Sequence, residues 1–241
     1  MKNTPCDISV ILPAYNEART IVATLRDVTE YFRARGWTYE VIVSADGDDG
    51  TRERAREFAA HDPAVKVIGE AARRGKGRGI REGVEIAAGA IVGFADADNK
   101  VPITEFAAIE PWLERGHDMV IGSRGLKESR VERQQRWIRR VGSRGFYYFL
   151  HAIVGMPGIE DTQCGFKFFP RDVARDLFSR QRIDGYMFDV EILALAQRLG
   201  YRIKEVPVRW SDDADSRLLV LDPLLQCFKH GRASLKRAGG I

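Results

Sequence analysis

Short, almost unbroken apolar runs alternate with longer amphipathic stretches through the first half of the chain, and this rhythm constrains the fold more than any other feature. The runs are Ile8–Leu12, Glu40–Ser44, Val65–Ile68, Ile91–Ala95 and Met119–Ile121, separated by helical patterns at Ala18–Arg35, Thr51–Ala60 and Lys76–Ala88. A strand followed by a long helical crossover returns parallel to its predecessor, so the pattern predicts βα units and an α/β fold. Because the runs are apolar throughout rather than alternating, helices are expected on both faces of the sheet. Beyond Gly122 the rhythm changes to a basic, aromatic helix over Gln134–Val154, a short strand at Phe166–Phe169, a helix at Phe188–Arg198 and a strand at Ile203–Trp210. With 241 residues, 44% of them apolar, the chain has enough material for one good core, and a single domain is expected.

The net charge of +4 is too small to indicate nucleic acid by itself. The basic residues cluster, however: Arg124, Lys127, Arg130, Arg133, Arg136, Arg139, Arg140 and Arg144 fall in one short segment. Such a cluster suits phosphates or an anionic membrane surface, or is a solvated helical face. The aromatics Phe146, Tyr147, Tyr148 and Phe149 follow it, and with it would suit an interfacial helix or a packed core face. Cys6, Cys164 and Cys227 form neither a disulfide framework nor a zinc pattern, which points to a reducing compartment. The N-terminal apolar run is too short for a signal peptide, and no segment approaches the roughly 18 apolar residues of a membrane span. The expectation is a cytoplasmic protein, soluble or peripheral on the cytoplasmic membrane face.

In open α/β sheets ligands bind beyond the carboxyl ends of the strands. Polar clusters fall at several such ends: Pro13-Ala-Tyr-Asn-Glu17 after the first strand, Asp46-Gly-Asp-Asp-Gly-Thr51 after the second, and Asp96-Ala-Asp98 after the fourth. In an extended strand Asp96 and Asp98 would point to one side, where two carboxylates must be hydrated, protonated or share a cation. Mg2+ or Mn2+ bound also by diphosphate oxygens resolves the repulsion. The alternative is that Asp98 and Asn99 simply start a turn or cap a helix after Pro102. The turn Gly75-Lys76-Gly77-Arg78-Gly79 is either a phosphate cradle at a helix N-terminus or a solvated loop, and it lacks P-loop spacing. Asp46 is placed to accept hydrogen bonds from a ribose or base, whereas Asp48 and Asp49 shape the turn before Thr51. No GxGxxG follows the first strand and no serine elbow is present, which argues against dinucleotide oxidoreductases and serine hydrolases.

Together VILPAYNE (Val10–Glu17), the Asp46-Gly turn, RRGKGRGIREG (Arg73–Gly83), the DAD pair, IGSR (Ile121–Arg124), DTQCGFKFF (Asp161–Phe169) and FDVE (Phe188–Glu191) resemble family 2 glycosyltransferases, and among them the polyprenyl-phosphate sugar transferases. The resemblance implies a GT-A type, Rossmann-like mixed sheet, mostly parallel, in one domain, with residues 1–122 binding a nucleotide sugar and residues 123–241 the acceptor. It implies inverting transfer of a hexose, glucose from UDP-glucose before mannose from GDP-mannose, to polyprenyl or dolichyl phosphate, with Mg2+ or Mn2+ as cofactor. Transfer to a soluble acceptor, and a non-catalytic nucleotide- or membrane-binding protein, are the alternatives. By the same resemblance Pro13, Tyr15, Glu17 and Asp46 hold the nucleoside, Lys76, Ala97 and Arg217 join the donor site, and Asp96 and Asp98 take the metal. Arg124, Arg136 and Arg140 would grip the acceptor phosphate, and Asp161 would orient the nucleophile or act as base. Lys100 stands where mannosyl relatives often carry glutamine, which favours the glucosyl branch.

Overall fold

A computed structural model describes residues 6–131 and 158–211. The elements in chain order are β1 (Cys6–Tyr15), α1 (Ile21–Ala34), β2 (Tyr39–Asp46), α2 (Thr51–Ala59), β3 (Val65–Ile68), α3 (Lys76–Ile86), β4 (Gly89–Ala95), a short 3-10 turn (Ile103–Glu105), α4 (Phe106–Glu114), β5 (Met119–Ser123) and β6 (Arg130–Val131). Then follow β7 (Phe166–Pro170), α5 (Arg171–Arg180), α6 (Phe188–Arg198), β8 (Ile203–Pro207) and β9 (Arg209–Trp210). The expected helix over Gln134–Val154 lies outside the described residues.

The main sheet has seven strands in the order β3-β2-β1-β4-β7-β5-β8, and β6 and β9 form a separate pair. Successive residues of each central strand feed opposite sides. Val10 and Leu12 of β1, Val41 and Val43 of β2 and Val120 of β5 pack with Leu25, Val28 and Phe32 of α1 and Phe106 and Ile109 of α4. Ile11, Ile42, Met119 and Ile121 face the other way, onto Ile80 and Val84 of α3, Leu177 and Phe178 of α5 and Phe188 and Ile192 of α6. Helices cover both faces, which is why these strands read as continuous apolar runs.

Pairing is parallel from β3 through β4, but β7 runs antiparallel between β4 and β5. This reversal positions the candidate site. The carboxyl ends of β1, β2, β4 and β5 and the amino end of β7 share one sheet edge, with Tyr15 opposite Asp46 and Ala95 opposite Phe166. The mixed, mostly parallel sheet matches the expected fold class.

Three local expectations are corrected. The helices α4 and α5 were not foreseen; α4 carries Pro111, which reads as a helix breaker in sequence, yet Pro111 lies inside the helix and its carbonyl accepts a hydrogen bond from the Arg115 N–H at 3.2 Å. The expected strand Ile203–Trp210 divides at Val208, so that β8 completes the main sheet and β9 pairs with β6. β4 ends at Ala95, and Asp96 and Asp98 therefore lie in a turn, where the strand argument for a common side does not apply.

Candidate active site

The DAD turn closes through a hydrogen bond from the Asn99 N–H to the Asp96 carbonyl at 3.1 Å, with Asn99 in the left-handed region at φ 55°. Ala97 points inward, 2% exposed, and its carbonyl accepts a hydrogen bond from Thr24 Oγ1 of α1 at 2.8 Å. Its side chain belongs to the apolar core cluster on the α1 side of the sheet. Asp96 and Asp98 remain part-exposed, and each faces an ammonium. Lys76 Nζ lies 2.5 Å from Asp96 Oδ1, and Lys100 Nζ lies 2.8 Å from Asp98 Oδ2. Asp98 Oδ1 also accepts the Lys100 N–H at 3.3 Å, so Asp98 shapes the turn, as one of the two sequence readings expected.

Lys76 opens α3, and the glycines around it allow a close approach. Gly75 has φ 108°, and a Cβ there would run into the Asp184 carbonyl; a Cβ at Gly79 would meet Ser44 Oγ of β2 at 2.5 Å. The glycine-rich turn is therefore not a solvated loop: it packs helix α3 against the sheet and the 181–188 segment and points Lys76 at the DAD turn. Burial alone would make the Lys76 ammonium easier to deprotonate, but the Asp96 and Asp189 carboxylates outweigh it and hold the lysine charged.

At the carboxyl end of β1 Tyr15 is 40% exposed, with the Arg73 guanidinium 4.5 Å from its ring centroid. Asp46 accepts hydrogen bonds from the Arg74 N–H at 2.8 Å and the Glu70 N–H at 3.4 Å, so it fixes the loop on which Arg73 stands. The Glu17 N–H donates to Thr51 Oγ1 at 2.8 Å, tying PAYNE to the start of α2, and Asp49 Oδ1 accepts the Thr51 N–H at 3.0 Å, as expected for a residue that shapes the turn before Thr51. Pro13 pairs in register with Ser44 within β1 and β2.

Arg124, at the end of β5, meets Asp161 as a two-pronged pair: Nε donates to Oδ2 at 2.7 Å and Nη2 to Oδ1 at 2.9 Å, while the Arg124 N–H also donates to Oδ2 at 3.0 Å. Burial works against the ionised Asp161, but the Arg124 guanidinium overrides it and lowers its pKa to about 2. A carboxylate held that low is a poor proton acceptor, and the pairing favours an orienting role over a basic one. Arg136, Arg140 and Arg217 lie outside the described residues.

Behind these groups is a buried ion pair that sequence reasoning did not single out. Lys167, 0% exposed in β7, donates to Asp189 Oδ1 of α6 at 2.7 Å and to the carbonyls of Cys164 at 2.6 Å and Thr162 at 3.1 Å. It thereby anchors the 161–165 loop, whose other end is held by Glu205 accepting the Asp161 N–H at 2.8 Å. The available signal was a lone lysine within the apolar run Phe166-Lys-Phe-Phe169. Among the described residues no group of three or more acids, histidines or cysteines could enclose a metal, and no helix is long and apolar enough to cross a membrane.

The arrangement invites comparison with known proteins. Residues 9–178 match the family described as Glycosyl transferase family 2. The chain belongs to that family. It is 32% identical over 221 residues to a dolichyl-phosphate beta-glucosyltransferase of Trichomonas vaginalis, covering 87% of this chain and 65% of that protein. The dolichyl-phosphate beta-glucosyltransferase of Mus musculus is 35% identical over 237 residues, covering 92% of this chain and 72% of the relative. The chain thus spans about two thirds of the length of such curated relatives. Among solved structures, a glucosyl-3-phosphoglycerate synthase from Mycobacterium tuberculosis in complex with Mn2+, uridine diphosphate and phosphoglyceric acid superposes with TM-score 0.69 at 23% identity, covering 98% of this chain and 80% of that one. A mannosyl-3-phosphoglycerate synthase from Rubrobacter xylanophilus gives TM-score 0.71 at 18% identity, covering 96% and 74%. These neighbours share the GT-A type fold of the family 2 chain described above.

Proposed function

We propose that this family 2 glycosyltransferase moves glucose from UDP-glucose to dolichyl or a related polyprenyl phosphate, with inversion at the anomeric carbon. The observation that supports the reading is the convergence of the DAD carboxylates, exposed Tyr15 and the Arg124–Asp161 pair at one sheet edge, in a chain whose relatives include dolichyl-phosphate beta-glucosyltransferases.

Pro13, Tyr15 and Glu17, with Asp46 behind them, hold the nucleoside, and Tyr15 offers an aromatic face to it. Lys76 reaches the donor phosphates from the start of α3, where Asp96 and Asp189 keep its ammonium charged. Asp96 and Asp98 have the chemistry for Mg2+ or Mn2+: hard carboxylate oxygens, part-exposed, each already matched to a cationic group. Donor phosphate oxygens and water would join them in the coordination of such an ion. A bound divalent ion would supply positive charge to the diphosphate as it leaves.

The acceptor phosphate is already an anion, so the site needs no strong base. Its task is to hold two anions together, and Arg124, oriented by Asp161, contributes charge and direction at the acceptor side. Arg136 and Arg140, for the acceptor phosphate, and Arg217, for the donor, complete the proposal from the sequence. The basic segment would bring the protein to an anionic membrane surface, where its lipid substrate resides.

Incubation with radiolabelled UDP-glucose or GDP-mannose, Mn2+ or Mg2+, and either dolichyl phosphate or soluble sugar acceptors tests this reading. Label from UDP-glucose in the lipid phase is the expected result. Transfer to soluble acceptors alone, or from GDP-mannose alone, would overturn the acceptor or the donor assignment, and binding without turnover on any acceptor would remove the enzymatic one.

A further inference from the structure

The DAD turn holds an ion pair between Asp98 and Lys100. Lys100 engages Asp98 twice, through its ammonium at 2.8 Å from Oδ2 and through its backbone N–H at 3.3 Å from Oδ1. The backbone imposes this pairing. Asn99, at φ 55°, folds the chain back between the two residues, and its Nδ2 is anchored on Asp27 Oδ2 at 2.7 Å. On the far side the Lys100 carbonyl accepts the Ser211 N–H at 2.9 Å. The Lys100 and Asp98 side chains are only 19% and 26% exposed, so solvent screens the pair less than an ordinary surface pair.

A divalent cation and the Lys100 ammonium draw on the same carboxylate, and two cations beside one anion repel each other. The donor changes this balance, because its diphosphate brings new negative charge that can take up the displaced ammonium. We infer that Lys100 makes divalent-cation binding at Asp98 conditional on the nucleotide: without nucleotide the ammonium holds the carboxylate, and with it the cation takes Asp98. The inference rests on the reading of Asp98 as a metal carboxylate. Binding linkage is reciprocal, so the cation in turn tightens the nucleotide by the same factor. Lys76, from α3, pairs with the other carboxylate, Asp96, and also faces Asp189 and Tyr186, so it is kept unchanged in the comparison that isolates Lys100.

The test is Mn2+ binding by equilibrium dialysis with EPR detection, on the full chain, with and without UDP. Wild type is compared with Lys100→Gln, Lys100→Arg and Asp98→Asn, each checked for folding by circular dichroism. Without UDP, Lys100→Gln is expected to bind Mn2+ about tenfold more tightly than wild type, the effect of about 1.4 kcal/mol. UDP should then improve Mn2+ binding by a smaller factor in that variant, while Lys100→Arg, which keeps the charge, behaves as wild type. Equal affinity of wild type and Lys100→Gln, with Asp98→Asn weakened, overturns the role of Lys100 and leaves the metal site standing. Equal Mn2+ binding by all the proteins, Asp98→Asn included, overturns the metal reading and this inference with it.

Discussion

The backbone of Gly165 lies against the carboxylate of Asp96, so closely that a Cβ on Gly165 would overlap both carboxylate oxygens. The DTQCGFK loop and the DAD turn, nearly seventy residues apart in sequence, are thus one structure. Gly165→Ala must move the carboxylate, which sits at the end of a short side chain at the crevice. Expected is a loss of transferase activity of tenfold or more, with unfolding free energy changed by about 1 kcal/mol or less, since the crowded group is part-exposed and can shift. Parallel activity and urea-denaturation measurements check it.

Lys167 and Asp189 form a fully buried pair, 0% and 1% exposed. Lys167→Met leaves the Asp189 carboxylate without its partner and should cost about 3–5 kcal/mol of stability. Adding Asp189→Leu should recover part of that loss, because the buried carboxylate is then gone, while the Thr162 and Cys164 carbonyls still lack their donor. Chemical denaturation of the single and double variants measures both effects.

The Arg124–Asp161 pair predicts a specific acid response. The folded-state pKa of Asp161, about 2, lies below the unfolded value of about 3.9. A depressed carboxylate contributes stability that is fully present above pH 4 and is lost as pH falls toward 2. The stability gap between wild type and Asp161→Asn should therefore be largest, about 2 kcal/mol, above pH 4 and close toward pH 2. Thermal unfolding across that range reads the gap directly.

The sequence makes the parallel half of the sheet visible because strands such as Ile8–Leu12 and Ile91–Ala95 are buried on both faces and carry their signal locally. The convergence of PAYNE, Asp46 and the DAD pair follows from strand direction alone. What local pattern does not carry is pairing across distance. Nothing in FKFF announces that β7 inserts antiparallel between β4 and β5, or that Lys167 finds its counter-ion on α6. The helix at Phe106–Glu114 is hidden by Pro111, whose local penalty is outweighed by packing of Phe106 and Ile109 against the sheet. Lys100, unexplained by its neighbours in sequence beyond its place in the family motif, gains a partner only once Asn99 turns the chain back on Asp98.

The measurement closest to the central claim is the kcat/KM for glucose transfer from UDP-glucose to dolichyl phosphate, at saturating Mn2+, in wild type and Asp98→Ala. With Asp98 as the proposed carboxylate for the cation, its loss should lower kcat/KM by about a hundredfold or more, some 3 kcal/mol of transition-state stabilisation. The folded structure should survive, because Asp98 is part-exposed. Activity of Asp98→Ala within about twofold of wild type, with Mn2+ still required, would contradict the assignment of the DAD turn as the cation seat.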